Sequence, residues 1–123
     1  MGCAVHRLGR RRSAERNGRD AEGAVVDFWR RRGYEILGQR RRTPAGEIDL
    51  VVADRDNLVF VEVKARRSFA EAAYAVLPRQ QVRLRLAADV LLAENQNWHR
   101  ESMRFDVALV CGGVIEHIED AIR

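Results

Sequence analysis

Asp49, Glu62 and Lys64 are the residues of this chain whose types and spacing could do chemistry. Asp49 lies in Gly46-Glu47-Ile48-Asp49-Leu50, and Glu62 and Lys64 lie in Val61-Glu62-Val63-Lys64, on two strand-like runs joined by a short turn. Carboxylates are hard oxygen ligands suited to Mg²⁺ or Mn²⁺. An ammonium beside them can orient a water and offset charge developing on phosphoryl oxygens. Together they are the equipment of metal-assisted phosphodiester hydrolysis. Lys64 is also the only lysine in a chain with 21 arginines. If charge alone were wanted there, this composition would supply arginine, whose guanidinium keeps its proton; a compact ammonium approaches a single oxygen and can shift its pKa. The plainer reading is an isolated lysine paired with Glu47 across the sheet.

The two runs predict which side chains share a face. In the first, Ile48, Leu50 and Val52 are expected on one face and Glu47, Asp49 and Val51 on the other. In the second, Val59, Val61 and Val63 oppose Leu58, Phe60, Glu62 and Lys64. Asp54-Arg55-Asp56-Asn57 reads as the hairpin turn between them. Matching apolar face to apolar face around that turn sets Val51 opposite Phe60, Asp49 opposite Glu62 and Glu47 opposite Lys64. Two carboxylates directly opposed, with Cβ atoms roughly 5 Å apart, repel and destabilise a sheet unless something positive lies between them. A divalent cation would meet that need.

Elements outside the hairpin must support it. A helix is expected from about Ala14 to Arg32, stopped by Gly33. Its apolar arc of Ala21, Ala24, Val25, Val26, Phe28 and Trp29 has Glu22 inside it. That carboxylate either reaches water or an arginine, or joins the acidic pair as a third ligand or as the holder of a metal-bound water. Tyr34 to about Arg41 reads as a strand and Thr43-Pro44-Ala45-Gly46 as a turn. A mobile loop is expected over 67–77, containing Phe69 and Tyr74. Pro78 opens a second helix running to about Asn95 or Trp98. One stripe of it carries Leu84, Ala88, Leu91 and Leu92 with Gln81 on the same line, and another carries Val82, Leu86, Val90 and Ala93. A helix apolar on two sides is buried on both or meets a partner subunit. Strands over Arg104 to Cys111 and Val114 to Ile118, joined by Gly112-Gly113, complete the chain.

Composition limits the function classes. A chain of 123 residues makes one domain. It divides into a flexible basic arm over 1–13 and a single folded domain over 14–123. A net charge of +4, concentrated in Arg10-Arg11-Arg12, Arg30-Arg31-Arg32 and Arg40-Arg41-Arg42, favours an anionic partner. With no long apolar run, nucleic acid is expected and membrane is not. Cys3 and Cys111 lack metal-type spacing, and His6, His99 and His117 stand far apart, which argues against zinc. The N-terminus lacks the apolar segment of a signal peptide, so a reduced, cytoplasmic protein is expected.

Gly46-Glu47-Ile48-Asp49-Leu50-Val51, the twelve residues between Asp49 and Glu62, and Val61-Glu62-Val63-Lys64-Ala65-Arg66 together resemble the signature of the YraN-like proteins. Those are predicted bacterial endonucleases, similar to archaeal Holliday junction resolvases within the PD-(D/E)XK nuclease superfamily. Further matches are Gly18 to Glu22 on the first helix, Gly33 to Leu37 on the next strand, and Arg104-Phe105-Asp106-Val107 on the late strand. The resemblance implies a restriction-endonuclease-like α/β fold of three layers, with a mixed sheet of four to five strands between helices, in the order α-β-β-β-α-β-β. It implies Asp49, Glu62 and Glu22 as metal ligands, Lys64 as the catalytic lysine, and Gln81 in a supporting role near the site. Gln80 stands where that family usually has lysine and Arg40 where asparagine is common. Glu47 is expected to be structural, neutralised by Lys64 or an arginine.

The leading expectation is therefore a Mg²⁺- or Mn²⁺-dependent endonuclease acting on DNA, branched or damaged DNA by analogy, with a homodimer allowed by the double-sided second helix. A non-catalytic nucleic-acid-binding or assembly module of the same fold is the alternative. Keeping Asp49, Glu62 and Lys64 together speaks against it, because a pure phosphate binder gains by losing its carboxylates. A structural sheet whose acids are quenched by arginines is the third reading.

Overall fold

A computed structural model of the chain describes the backbone of residues 10–65 and 78–121 and, within them, side chains from residue 21 onward. Residues 1–9 of the expected arm and the expected loop with Phe69 and Tyr74 lie outside the described residues. Helix α1 (Arg10–Arg31) is followed by strands β1 (Glu35–Thr43), β2 (Gly46–Ala53) and β3 (Asn57–Ala65), helix α2 (Pro78–Glu94), a 3₁₀ turn (Gln96–Trp98), and strands β4 (Ser102–Cys111) and β5 (Val114–Ile118). This is the expected order α-β-β-β-α-β-β. Helix α1 starts four residues earlier than the sequence suggests, so residues 10–13 of the expected arm are helical.

The five strands form one mixed sheet in the order β1-β2-β3-β4-β5. Antiparallel pairs flank a central parallel pair, β3 with β4. A parallel pair needs a crossover, and α2 supplies it. Helices on opposite faces make three layers. On one face Val25, Val26 and Trp29 of α1 pack on Leu50, Val52, Val59, Val61, Ala108 and Val110. On the other, Leu84, Ala87, Ala88 and Leu91 of α2 pack with Val51, Ala53, Leu58, Phe60 and Phe105. Each fully buried valine or leucine contributes roughly 1.5–3 kcal/mol relative to exposure. The strands between the layers read as near-continuous apolar runs because both faces are covered.

Local chemistry fixes the corners. At the end of α1, Gly33 adopts φ 82°, with Gly33 N–H donating to Arg30 C=O (3.0 Å) and Tyr34 N–H to Trp29 C=O (3.1 Å). This pair of bonds is the Schellman closure that glycine permits. In the β2–β3 hairpin, Asp54 Oδ1 accepts from Asp56 N–H at 2.9 Å and Asn57 N–H at 2.7 Å. The register is the one argued from sequence: Val51 pairs with Phe60, Leu50 with Val61, Val52 with Val59 and Ala53 with Leu58.

The second stripe of α2 is not buried within the chain. Val82 and Leu86 are 56% and 52% exposed, while Leu84, Ala87, Ala88 and Leu91 form the core face. The choice between burial on both sides and an outward face is settled for the outward face among the described residues.

Gly46 sits at φ +145°, and a Cβ there would meet the Arg83 side chain, Cδ at 2.7 Å. Gly23, in α1, has open space around it. Gly46→Ala should therefore destabilise by roughly 1–3 kcal/mol and Gly23→Ala should stabilise by about 0.5–1 kcal/mol. Denaturant midpoints check the pair; equal shifts for both substitutions would contradict this account of the backbone.

Candidate active site

The regular sheet breaks along one line, and the candidate residues stand on it. Pairing of β2 with β3 is described only as far as Leu50 and Val61. Beyond that point Asp49 Oδ2 accepts a hydrogen bond from Val63 N–H at 2.8 Å, so a side chain takes the place of a ladder carbonyl. On the other side of β2, Gln39 pairs with Leu50 and Arg41 with Ile48. Arg40, facing Asp49 between them, adopts φ 49°, a left-handed conformation costly for a residue with a Cβ.

Strand β2 also changes phase at this line. Ile48 was expected beside Leu50 and Val52, but it packs with Val51 and Ala53 in the α2 cluster while Leu50 and Val52 lie in the α1 cluster. Simple alternation assumes a continuous pleat. Here the pleat is interrupted at Asp49, with a left-handed residue on one side and a lost ladder pair on the other.

The interruption brings the two carboxylates together. Asp49 and Glu62 share a side-chain hydrogen bond. Glu62 is buried, above a crevice lined by Ile48, Phe60, Leu84 and Phe105. Burial, then the hydrogen bond and charge of Asp49, push the Glu62 carboxyl up from 4.5 to about 8, against the weaker opposing pull of Lys64 and Arg83. Lys64 Nζ lies 3.9 Å from Glu62 Oε2, with its side chain 15% exposed. Asp49, Glu62 and Lys64 therefore converge as expected.

For Glu47 and Glu22, each left with an arginine as one alternative, the structure takes the arginine. Glu47 does not meet Lys64: β2 and β3 have parted by then, and Glu47 instead pairs with Arg42 of β1, its register partner, at 3.6 Å. Glu22 is held by Arg40, whose Nε donates to Glu22 Oε2 at 2.6 Å. Among the described residues no three His, Cys, Asp or Glu side chains form a group able to hold a metal. Gln81 is half-buried in the first turn of α2, one turn before the core residue Leu84. Arg83, and the part played by Arg40, are what sequence reading passed over. The signal for Arg83 lay in Gly46, whose missing side chain makes room for it. Residue patterning held none for Arg40, because a left-handed arginine breaks a propensity.

A second buried acid provides the contrast. Asp106, fully buried on β4, accepts from Arg104 Nε (2.9 Å), His117 Nε2 (2.6 Å) and Asp120 N–H (3.0 Å). Burial alone would raise its pKa, but the hydrogen bonds from His117, Arg104 and Asp120 win and hold it below the ordinary carboxylate value. His117 stacks on Phe28 of α1 at 5.1 Å, so this network ties β4 and β5 to the helix. Asp106 is saturated with donors. Glu62 faces another acid, with Lys64 as its ion-pair partner among the described residues.

Residues 21–110 match the model of a family described as "Uncharacterised protein family UPF0102". The chain belongs to the UPF0102 family. A UPF0102 protein of Acidiphilium cryptum is 50% identical over 117 residues, covering 95% of this chain and 91% of the relative. Those of Rhodopseudomonas palustris and Ruegeria pomeroyi are 48% and 47% identical, covering 80% and 85% of this chain and 75% and 85% of their own lengths. The UPF0102 match contains Glu22, Asp49, Glu62, Lys64 and Gln81. No helix among the described residues is long and apolar enough to cross a membrane.

The carboxylate pair fits a divalent cation. Two adjacent carboxyls, one of them buried, are the donor set that such an ion would complete, and they are costly to ionise together without it. The sign for stability follows from the raised pKa. A carboxyl that titrates near 8 when folded and 4.5 when unfolded favours folding most below 4.5, and that contribution is lost as pH rises towards 8. Metal-free protein should therefore lose thermal stability between about pH 4.5 and 8, and Glu62→Gln should flatten the slope. Melting curves across that range measure it; a parent curve as flat as that of the Glu62→Gln variant would contradict the raised pKa of Glu62.

Proposed function

We propose that this protein is a metal-dependent deoxyribonuclease with a restriction-endonuclease-like fold, hydrolysing phosphodiester bonds in DNA. The observation that carries the reading is the contrast between the two buried acids. Asp106 is satisfied by three protein donors, whereas Glu62 is pressed against Asp49 with an ammonium 3.9 Å away. An acidic pair with so few protein donors is what a site that recruits a cation presents.

Asp49 and Glu62 would hold Mg²⁺ or Mn²⁺, which supplies Lewis acidity toward a phosphoryl oxygen and a more acidic water. The chain's own groups do the remaining work. Val63 N–H fixes the Asp49 carboxylate, and Glu62 anchors the Lys64 ammonium at the mouth of the site. Lys64, exposed enough to meet a solvent-borne phosphate, orients a water and offsets charge on the phosphate oxygens. Arg83, whose charge reaches Glu62, and Arg42, beside Glu47, are exposed and suit phosphate contact. Branched or damaged DNA is the substrate class to try first. A branched substrate with two cuts would call for a homodimer, and the outward Val82 and Leu86 of α2 are the apolar surface open to one. A cytoplasmic location accords with such a substrate.

A second reading has one observation of its own. With Glu22 held by Arg40, no third acidic, His or Cys ligand joins the pair among the described residues, as in a nucleic-acid-binding or assembly module that hydrolyses nothing. Incubation with Mg²⁺ or Mn²⁺ and labelled single-stranded, duplex, flap and four-way-junction DNA separates the two. The nuclease reading predicts metal-dependent cutting that falls at least about a hundredfold in Asp49→Ala and Lys64→Ala, with DNA binding retained in Asp49→Ala. Binding without cutting by the parent across the panel would favour the module.

A further inference from the structure

Arg40 adopts a strained conformation from which the fold gains little. Its φ of 49° is one that arginine takes up only where the surroundings impose it. Its ion pair with Glu22 joins a side chain 49% exposed to one 24% exposed, and ion pairs open to solvent stabilise folds little. What the conformation does achieve is placement. The residue lies across the β1–β2 ladder from Asp49, and its guanidinium reaches α1 to meet Glu22 at 2.6 Å. Glu22 holds it in the charged state most strongly, with Glu47 and Asp49 adding to the effect. Of these acids, Glu47 has its own arginine, Arg42.

We infer that Arg40 is a built-in counter-cation of the acidic site, which competes with a divalent ion and keeps Glu22 from serving as its third ligand. This rests on the reading of Asp49 and Glu62 as a metal pair. The ammonium of Lys64 serves Glu62 from one side, and on the other the guanidinium of Arg40 pairs with Glu22 while its charge acts on Asp49 from a distance. While Arg40 stays there, the ligand set offered to a metal is two carboxylates. Once it swings into the solvent that already covers half of it, Glu22 is released and the local positive charge falls. Both changes favour a divalent cation.

The test is Mn²⁺ binding to the full chain without nucleic acid, followed by calorimetry and by the electron paramagnetic resonance of free Mn²⁺. Arg40→Asn removes the charge and keeps a residue that tolerates positive φ. Arg40→Gly serves as a second variant in case Asn is poorly accommodated. Either should bind Mn²⁺ tighter than the parent by on the order of tenfold, the effect of one competing charge removed from the site's edge. Adding Glu22→Gln should remove the part of the gain that Glu22 supplies as a ligand and leave only the part due to the lost charge. If parent and variants bind Mn²⁺ equally, or if the whole gain survives Glu22→Gln, the inference is wrong while the metal pair stands. A lower melting temperature in Arg40→Asn with unchanged Mn²⁺ affinity would make the pair a structural clasp of α1 on β1, and would overturn it too. Absence of Mn²⁺ binding in every protein would sink the metal reading itself and this inference with it.

Discussion

The rest of the site depends on one electrostatic constraint: Asp49 and Glu62 occupy the same partly dry corner of the sheet. Charge repulsion in low dielectric is severe enough that one of two adjacent carboxylates keeps its proton unless a cation intervenes. Burial first, and then the hydrogen bond and charge of Asp49, raise the Glu62 pKa to about 8. Other features follow from accommodating the pair. The β2–β3 ladder stops after Leu50 and Val61, Asp49 takes the amide of Val63, and the alternation of β2 slips so that Ile48 joins the opposite core.

The sheet can tolerate such a fault because its neighbours are regular. β3 and β4 pair over nine consecutive positions, from Asn57–Ser102 to Ala65–Val110, so β3 stays straight while β2 diverges from it. Helices on both faces bury Val51, Val52, Val59 and Phe60 just beyond the break. The Asp106 network then locks β4 and β5 to α1 through His117 and Phe28. Rigid elements thus surround a local irregularity and hold its side chains in a geometry that a uniform ladder would forbid.

Much of this was legible in the sequence. Period-two patterning and the Asp54 turn give the hairpin register, because a one-residue slip would expose every apolar side chain of β2 and β3. Gly33 marks the end of α1, and the α-β-β-β-α-β-β order follows from the alternation of periods. The convergence of Asp49, Glu62 and Lys64 follows from that register. What escaped was non-local or against propensity. An arginine was one of the two partners open to Glu47, but pairing patterns carry no sign that the strands part before Lys64, which leaves Arg42 as that partner. The left-handed Arg40 contradicts its own conformational preference, so no residue-by-residue reading finds it. Arg83 approaches across the crossover from α2, a contact that only the packed layers create.

The central claim is that the acidic pair is a divalent-cation site. Crystals grown with Mn²⁺ and measured near its absorption edge test it most directly. The account predicts an anomalous peak bracketed by the carboxylates of Asp49 and Glu62, lost in Asp49→Asn. Ordered, adjacent carboxylates with no anomalous peak between them, at Mn²⁺ concentrations that support nucleases, would contradict it.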